Sequence, residues 1–274
     1  MKRGRGLALV KWAGGKRQLL DQFEPLFPKK FNNYIEPFVG GGAVAFYILE
    51  KYKSKKAFLS DINDELINCY DVACDQVDEL IEVLKKYKKK HSKEVYYKIR
   101  SEDIELLSRL SRAARFIYLN KTCFNGLYRV NSKGQFNVPI GSYKNPEIFN
   151  ESELNQISKL LTEVTFKCQS FEKCYKDAKK GDFVYLDPPY YPLNKASFTK
   201  YAKNDFLEKE QEALFELYKK LDKKGCFVML SNSDTKFIKD LYANYNIHFV
   251  SARRMINCDG ANRGEINEVV VTNY

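Results

Sequence analysis

The feature that most constrains the fold of this chain is a run of three glycines between two apolar segments. Tyr34-Ile-Glu-Pro-Phe-Val39 leads into Gly40-Gly-Gly42, and an apolar segment with helical spacing continues to Leu49. A second apolar run begins at Ala57 and ends in Asp61, about 20 residues past the glycines. This order of strand, glycine turn, helix, strand and acid is typical of one half of an α/β nucleotide-binding domain. In such a half the acid binds the two hydroxyl groups of a ribose. The glycines lack the GxGxxG spacing, however, and a purely structural turn would also use them.

The rest of the pattern predicts a sheet interrupted by one long insertion. Charged sequence with a helical period runs from 63 to 119, and Asn-, Gly- and Ser-rich sequence over 120–146 predicts loops and a hairpin. A helix is predicted again at 151–161. Further strands are predicted at 182–187, 226–231 and 266–272, with a helix over 207–221. We therefore predict one α/β domain, residues 1–68 and 162–274, with a mostly helical insertion at 69–161.

A second informative segment is Asp187-Pro-Pro-Tyr190, which ends a predicted buried strand. Two prolines hold the backbone extended and remove two N–H donors. The Asp187 carboxylate and the proline carbonyls are then acceptors without a local donor. Acceptors beside an aromatic ring suit a flat ligand that carries an NH2 group, although a rigid exit from a strand would use the same residues.

Composition restricts the class of partner. The 274 residues include 46 Lys and Arg against 35 Asp and Glu, a formal net charge of +11, which favours a nucleic acid or an anionic membrane surface. No apolar run approaches the roughly 18 residues of a membrane-spanning helix, and the apolar run after the basic start, Leu7 to Val10, is too short for the core of a signal peptide. The seven cysteines form no CxxC pair, and His91 and His248 are far apart, so we expect free thiols, no metal site and a cytoplasmic protein.

Four segments in combination resemble the Dam-type (class alpha) DNA adenine-N6 methyltransferases. They are Lys11-Trp-Ala-Gly-Gly-Lys-Arg17, the glycine segment, Ser60-Asp-Ile-Asn63 and Asp187-Pro-Pro-Tyr190, and they follow the order of that family across nearly the whole chain. The sequence looks most like the modification methylases of GATC-recognising restriction systems. The resemblance implies a Rossmann-like S-adenosylmethionine-dependent methyltransferase fold. Residues 1–68 and 162–274 would bind the cofactor and catalyse, and residues 69–161 would recognise DNA.

The resemblance also implies roles for single residues. S-adenosyl-L-methionine would be the methyl donor and S-adenosyl-L-homocysteine the product. Lys16 would bind the methionine carboxylate, Asp61 the ribose hydroxyls, and Phe171 would line the adenine. The full set of implied cofactor residues is Trp12, Lys16, Phe38, Gly40, Gly42, Asp61, Phe171 and Asp187.

The implied catalytic residues are Asp187, Pro188, Pro189 and Tyr190. A target adenine inside a duplex must first be flipped out of the stack, which requires a few kcal/mol. The ring of Tyr190 would then stack on the base. The Asp187 carboxylate and the Pro188 carbonyl would accept hydrogen bonds from N6, whose lone pair is otherwise delocalised, and so align it for direct in-line transfer.

Residues 118–139 mix aromatic, amide and cationic side chains around two glycines, a composition suited to reading base edges. The segment resembles the GATC-reading hairpin of the same family. By that resemblance Arg129 would read guanine, and the side chains from Phe124 to Leu127 would enter the duplex and support the opened base pair. The implied DNA-binding residues are Phe124, Asn125, Leu127, Arg129 and Asn137.

The predicted function is thus site-specific methylation of adenine N6 in double-stranded GATC. The predicted partners are that duplex and a restriction endonuclease acting on the same site, with no membrane. Two alternatives remain: methylation of RNA or of a protein glutamine with the same cofactor, and a non-catalytic DNA-binding relative. The hairpin and the positive charge favour DNA, and the intact Lys16, Asp61 and Asp187 favour an enzyme.

Overall fold

The computed structural model describes residues 6–52, 56–193, 206–253 and 265–274. The α-helices in these ranges are α1 (Leu20–Phe23), α2 (Ala43–Lys51), α3 (Asp64–Asp75), α4 (Val77–Lys89), α5 (Lys93–Arg100), α6 (Arg109–Thr122), α7 (Glu151–Leu161), α8 (Cys174–Asp177), α9 (Glu208–Lys223) and α10 (Lys236–Leu241). The strands are β1 (Tyr34–Glu36), β2 (Ala57–Asp61), β3 (Val164–Cys168), β4 (Phe183–Leu186), β5 (Phe227–Ser233), β6 (Asn246–Arg253) and β7 (Glu265–Thr272).

The strands form one mixed sheet in the order β3-β2-β1-β4-β5-β7-β6. The central strands β2, β1, β4 and β5 pair in parallel. Both β1 and β4 are buried at every position, as expected for parallel strands covered on both faces. Strand β7 pairs antiparallel with β5 and with β6, so a strand late in the sequence lies inside the sheet.

The α/β prediction and most predicted elements are confirmed. Strands β2, β4, β5 and β7 and helices α7 and α9 lie where the apolar pattern placed them. Strand β6 was not predicted, because it is an edge strand whose apolar side chains are not consistently buried. Phe249 in its middle is 58% exposed.

The described residues separate into two compact units. We call Met1–Arg17, Gly40–Lys51 and Asn63–Cys168 the helical unit, and Gln18–Val39, Tyr52–Ile62 and Gln169–Tyr274 the sheet unit. The predicted insertion, 69–161, falls within the helical unit. That unit also takes in α2 and α3, because α2 packs on α7 and α3 packs on α6 and α7. As functional domains, the boundaries 1–68, 69–161 and 162–274 stay a prediction.

The helical unit is built around α6, which packs against α3, α4 and α5. The buried Arg115 of α6 donates to the carbonyls of Ile99 and Arg100 at 2.8 and 2.7 Å, which ties the end of α5 to α6. Polar caps define where the helices begin, because each cap oxygen accepts from an otherwise unpaired N–H three residues later. These caps are Asn63, Ser92, Ser108 and Asn150.

The predicted hairpin after α6 is held by turns rather than by paired strands. Two isolated antiparallel bridges join Cys123 to Ile140 and Val130 to Phe136. The tip is closed by Asn131, whose Oδ1 accepts from the N–H groups of Lys133 and Gln135 at 2.9 and 3.0 Å. Asn, Ser and Gly favour such local bonds over a strand ladder, which explains the short pairing.

No helix in the described ranges is long and apolar enough to cross a membrane. Among the same residues, no group of three or more His, Cys, Asp and Glu side chains could hold a metal ion. The six cysteines in these ranges are free thiols.

Candidate active site

Asp187 follows the last residue of β4, at the carboxyl edge of the parallel strands. Its Oδ1 accepts a hydrogen bond of 2.8 Å from Ser231 Oγ of β5. The hydroxyl of Tyr185 lies 2.8 Å from the same Oγ. Because Ser231 donates its proton to Asp187, Tyr185 is the donor to Ser231. Two hydroxyl groups on neighbouring strands therefore orient the carboxylate.

Tyr190 is held by a different strand. Its hydroxyl donates to Glu268 Oε2 of β7 at 2.7 Å. Burial, reinforced by the charges of Asp187 and Glu268, raises the pKa of Tyr190 well above its usual value. Burial and the Asp187 charge raise the pKa of Tyr185 in the same way. Both hydroxyls therefore stay protonated at neutral pH and can act as donors.

The backbone of the Asp187–Tyr190 segment is fixed by two buried amide side chains. Gln211 Nε2 donates to the Pro189 carbonyl at 3.0 Å, and Asn232 Oδ1 accepts from the N–H of Tyr191 at 3.1 Å. The two amides also bond to each other at 3.0 Å. The Pro189 carbonyl therefore has no local donor, as predicted, but accepts from a side chain 22 residues further along the chain. Within the described residues no donor reaches the Pro188 carbonyl.

An aromatic cluster lies beside Asp61 in the sheet unit. The rings of Phe38 and Phe171 stack with centroids 5.3 Å apart, and Phe206 packs against both at 5.8 and 5.6 Å. The carbonyl of Asp61 accepts from the N–H of Gln169 at 3.0 Å, which brings the turn that carries Phe171 next to the end of β2. An aromatic face next to a carboxylate can bind a nucleoside through its ring and its ribose hydroxyls.

In the helical unit, the glycine turn is covered by protein side chains. Gly40 and Gly42 have φ of 47° and 77°, which glycine adopts without strain. A Cβ at Gly40 would lie 2.6 Å from Trp12 Cδ1, and one at Gly42 would lie 2.6 Å from the Tyr70 hydroxyl. That hydroxyl donates to the Gly40 carbonyl at 2.8 Å. The close approach of Trp12 and Tyr70 is thus a structural reason for these glycines.

Trp12 lies in the loop before α1, and Lys16 begins a short 3₁₀-helix, Lys16–Gln18, between that loop and α1. The Trp12 ring stacks near Phe116 and Tyr128, with centroids 6.5 and 5.8 Å away. Lys16 is 3% exposed, and its Nζ donates to the carbonyl of Gly14 at 2.5 Å. A buried ammonium group can bind a carboxylate with little competition from water.

The predicted DNA-reading residues start at the end of α6. Asn120 fixes this end, because its Oδ1 accepts from the N–H of Lys11 at 2.8 Å and its Nδ2 donates to the Gly126 carbonyl at 3.1 Å. Phe124 is 44% exposed, and Asn125 has φ of 55°. The turn from Phe124 to Leu127 therefore projects an aromatic ring and an amide from a rigid base.

Arg129 and Asn137 face each other across the hairpin. Arg129 Nε donates to Asn137 Oδ1 at 2.7 Å, and the Asn137 N–H donates to the Arg129 carbonyl at 3.0 Å. The guanidinium group is exposed but held in one orientation. Asn137 is placed to orient Arg129, a role the sequence did not suggest.

The structure brings together the predicted residues within each unit. The sheet unit contains two such groups. One is the segment from Asp187 to Tyr190, and the other is Phe38, Asp61 and Phe171. In the helical unit, they are Trp12 with the glycine turn and the five residues of the hairpin. The sequence reasoning missed Ser231, Glu268, Gln211, Asn232 and Phe206. The polar run Ser231-Asn-Ser-Asp234 at the end of a predicted apolar strand, and an acid inside the apolar β7, were the available signals.

The sheet has a Rossmann-like methyltransferase fold. This fold is defined by the strand order, in which β7 lies antiparallel between β5 and β6, and by the polar residues at the carboxyl edge. The chain belongs to the D12 class N6 adenine-specific DNA methyltransferases, whose family model matches residues 12–256.

Named relatives extend along almost the entire chain. The Type II methyltransferase M.MjaIII of Methanocaldococcus jannaschii is 49% identical, with 97% of this chain and 98% of the relative covered. The Type II methyltransferase M1.LlaDCHI of Lactococcus lactis subsp. cremoris is 46% identical over 97% of this chain and 94% of the relative. The DNA adenine methylase of Escherichia coli (strain K12) is 36% identical over 98% and 95%.

Proposed function

We propose that this chain transfers the methyl group of S-adenosylmethionine to N6 of adenine within double-stranded GATC. The observation that carries the proposal is the oriented Asp187 carboxylate at the end of β4, followed by a proline whose carbonyl receives no donor among the described residues. Two fixed acceptors suit an exocyclic amine, which has two N–H groups to donate. Membership of an adenine-specific DNA methyltransferase family supports adenine in DNA as the substrate.

The residues present fit the cofactor by their chemistry. The aromatic cluster of Phe38 and Phe171 offers a face for its adenine, and Asp61 offers a carboxylate for its ribose hydroxyls. The buried ammonium of Lys16 suits its methionine carboxylate. We assign Trp12 and the Gly40–Gly42 turn to the same binding role. When bound, S-adenosylmethionine supplies an electrophilic methyl group on a positively charged sulfur.

The chain's own residues would act on the amine. Tyr190 stacks on a flipped-out adenine, and the hydrogen bond from its hydroxyl to Glu268 anchors the far end of the ring. Asp187 and the Pro188 carbonyl accept the two N6–H bonds, which localises the lone pair and points it in one direction. Pro189, whose carbonyl is bound by Gln211, keeps the segment in shape. Catalysis then consists mainly of positioning and electrostatic stabilisation.

The hairpin of the helical unit would read the site. Arg129, oriented by Asn137, can donate two parallel hydrogen bonds to guanine O6 and N7. Phe124, Asn125 and Leu127 would enter the duplex, with the exposed Phe124 ring stacking on a base. The GATC assignment rests on the resemblance of this hairpin to its family.

A role in a restriction-modification system is part of this proposal. The names of two relatives, both Type II methyltransferases, support it. The partner would then be an endonuclease that cuts the same sequence when it is unmethylated.

The test is methyl transfer from labelled S-adenosylmethionine to two duplexes, one with a single GATC and one with the same bases scrambled. Label confined to adenine of the GATC duplex is the expected result. Label on both duplexes would support the methyltransferase activity but contradict the specificity for GATC and the role of Arg129 in it. Label on neither, with cofactor binding intact, would favour RNA or protein glutamine as the acceptor.

A variant separates catalysis from binding. Asp187→Ala should abolish transfer, because N6 loses its charged acceptor, while duplex binding stays close to that of the unaltered protein. Substantial residual turnover would contradict the role assigned to Asp187. Absence of both transfer and cofactor binding in the unaltered protein would point to a non-catalytic relative.

A further inference from the structure

Lysines precede each of the four parallel strands. Lys29 and Lys30 come before β1, Lys56 comes directly before β2, and two more lysine pairs come before β4 and β5. The latter pairs are Lys179-Lys180 and Lys223-Lys224. Since β2, β1, β4 and β5 run in the same direction, their amino ends share one edge of the sheet. This lysine edge is opposite to the carboxyl edge that carries Asp187.

Backbone hydrogen bonds join the turns that carry these lysines. The N–H of Asn32 donates to the Gly181 carbonyl, and the N–H of Gly181 donates to the Gly225 carbonyl, both at 2.8 Å. Asn32 Nδ2 also donates to the Lys180 carbonyl at 3.1 Å. The N–H of Tyr34 donates to the Lys56 carbonyl at 2.9 Å. The positive charges are therefore carried by connected, rigid turns rather than by independent loops.

The lysine edge has little compensating negative charge. Lys224 is engaged by Tyr175, whose carbonyl it contacts at 2.7 Å. The other six lysines are exposed, and in the described part of the chain none of them forms an ion pair with a carboxylate. Three acids lie within two residues of these lysines in the sequence, and all three accept hydrogen bonds; Asp177 Oδ2 accepts from Gln169 Nε2 at 3.5 Å. Asp182 is fully buried and accepts from the Asn33 and Lys179 N–H groups, and Asp222 accepts from Asn273 Nδ2 at 2.7 Å.

A recess of about 430 Å³ opens on the same edge. Lys29 and Lys30 line it together with Asn32, Tyr52 and Phe227. The phosphates of a nucleic acid backbone could approach the ammonium groups of Lys29 and Lys30 at such a recess. Lysines act as point charges without base specificity, so this surface suits a nucleic acid backbone and carries no sequence information.

We propose that the lysine edge is a second, sequence-independent binding surface for double-stranded DNA. The occupant would be another segment of the DNA on which the enzyme acts. Once one segment is bound for methylation, neighbouring segments of the same molecule are present at a high effective concentration, so even a weak site is filled. A chain that holds two segments can pass from one to the other without dissociating completely.

The salt dependence of the second site can be anticipated. If four lysines each neutralise one phosphate, the slope of log K against log salt is about −3.6, and affinity for the second duplex falls roughly 150-fold between 50 and 200 mM salt. Binding should therefore be examined at low salt, by sedimentation with a short duplex of one helical turn in excess.

The test compares three proteins. The edge variant carries Lys29→Gln, Lys30→Gln, Lys179→Gln and Lys180→Gln. The matched control carries Lys209→Gln, Lys219→Gln, Lys236→Gln and Lys239→Gln. The control loses the same charge from the same unit, but three of its lysines pair with acids of their own. All eight substitutions remove surface charges, and thermal melting checks that both variants fold.

We expect the unaltered chain and the control to bind a second duplex equivalent, and the edge variant to bind only one. Methyl transfer to the short duplex should be the same in all three, so a failure of the proposed methylation would show separately as loss of transfer or of the first equivalent. Saturation of the unaltered chain at one equivalent, or retention of the second by the edge variant, would overturn the proposal. So would binding of phosphatidylglycerol vesicles through the same four lysines without a second duplex, which would assign the edge to anionic lipid.

Discussion

At the scale of single residues, the orientation of the Asp187 carboxylate depends on side chains distant in sequence. Ser231 donates to its Oδ1, and Tyr185 donates to Ser231. A carboxylate on a short side chain can rotate, and a hydrogen bond to one oxygen restricts that rotation. In the proposed mechanism Ser231 is thus a positioning residue rather than a group that touches the substrate.

Ser231→Ala should lower kcat by about 10- to 100-fold, because a hydrogen bond to a charged group is worth about 1.5–3 kcal/mol. The KM values for DNA and cofactor should stay within about twofold, since no binding contact is removed. Steady-state kinetics with both substrates measures this. Tyr185→Phe is the comparison, and it should have a smaller effect because the Ser231–Asp187 bond remains. A raised KM with unchanged kcat in Ser231→Ala would show that the hydroxyl serves binding instead.

A second residue with an unusual environment is Lys121, at the end of α6. Burial, together with the charges of Lys11 and Arg17, lowers the pKa of Lys121 to about 8. The unfolded chain holds this proton up to about pH 10.4. Between these values the unfolded state binds more protons than the folded state, so this group makes the protein more stable as pH rises.

Lys121→Met should therefore raise the free energy of unfolding at pH 7 by on the order of 3 kcal/mol, the equivalent of the lowered pKa. The difference between the variant and the unaltered protein should shrink as pH rises from 7 to about 10, because the lysine becomes neutral in the folded state. Urea unfolding at a series of pH values measures both effects. A difference that is constant with pH would contradict the lowered pKa.

At the scale of elements, the turn at the end of α6 combines backbone strain with close packing. Asn125 is the one non-glycine residue with positive φ in the described ranges. Gly126 has φ of 63°, and a Cβ there would lie 2.5 Å from Lys11 Cδ. The shape of the turn is thus built in before any DNA binds, at an energetic cost of about 1–3 kcal/mol per strained residue.

Gly126→Ala should weaken binding of a GATC duplex by about 10-fold or more, since the new methyl group must displace Lys11 or distort the turn. Cofactor affinity should be unchanged. Gly134→Ala is the matched control: its φ is 76°, but a Cβ there meets nothing within 4 Å. Duplex titrations should show a clearly larger loss for the first variant. Equal losses would mean that backbone strain alone, and not the contact with Lys11, is responsible.

The elements also show how much the sequence could predict. The apolar runs ending at Asp61 and Asp187 identified two strands, because burial dictates an apolar pattern up to the residue that leaves the sheet, and they placed the two proposed site acids at the ends of those strands. The hairpin was identified by its turn residues, but its bridges and the Arg129–Asn137 pair depend on cross-strand geometry. The bond of Ser231 to Asp187 joins residues 44 apart, and no local pattern encodes such a contact.

At the scale of the whole molecule, strand β7 joins the parallel part of the sheet to its edge. Val269, Val270 and Val271 are fully buried, and β6 is connected to the rest of the sheet through β7. Burying three such side chains contributes about 5–9 kcal/mol, which is comparable to the total stability of a domain, about 5–15 kcal/mol.

A chain ending at residue 264 should therefore fail to fold, with no cooperative thermal transition and no methyl transfer. Glu268→Gln provides the control within the same strand. It should keep the fold and most of the activity, because the amide oxygen of Gln still accepts from the Tyr190 hydroxyl. Circular dichroism and the labelled transfer assay distinguish the two variants. A cooperative transition in the shortened chain would show that β7 adds less stability than its burial indicates.

The hydrogen bond between Tyr190 and Glu268 also affects when, during synthesis of the chain, the site can form. The two residues are 78 positions apart, so a ribosome that adds 5–20 residues per second makes the acid about 4 to 16 s after the tyrosine. Throughout that interval the nascent chain lacks both the acceptor for the tyrosine and the strand that supports it. Since a chain without β7 is expected not to fold, a half-made enzyme beside the DNA from which it is being expressed is expected not to modify that DNA. The order of synthesis itself delays activity until the sheet is complete.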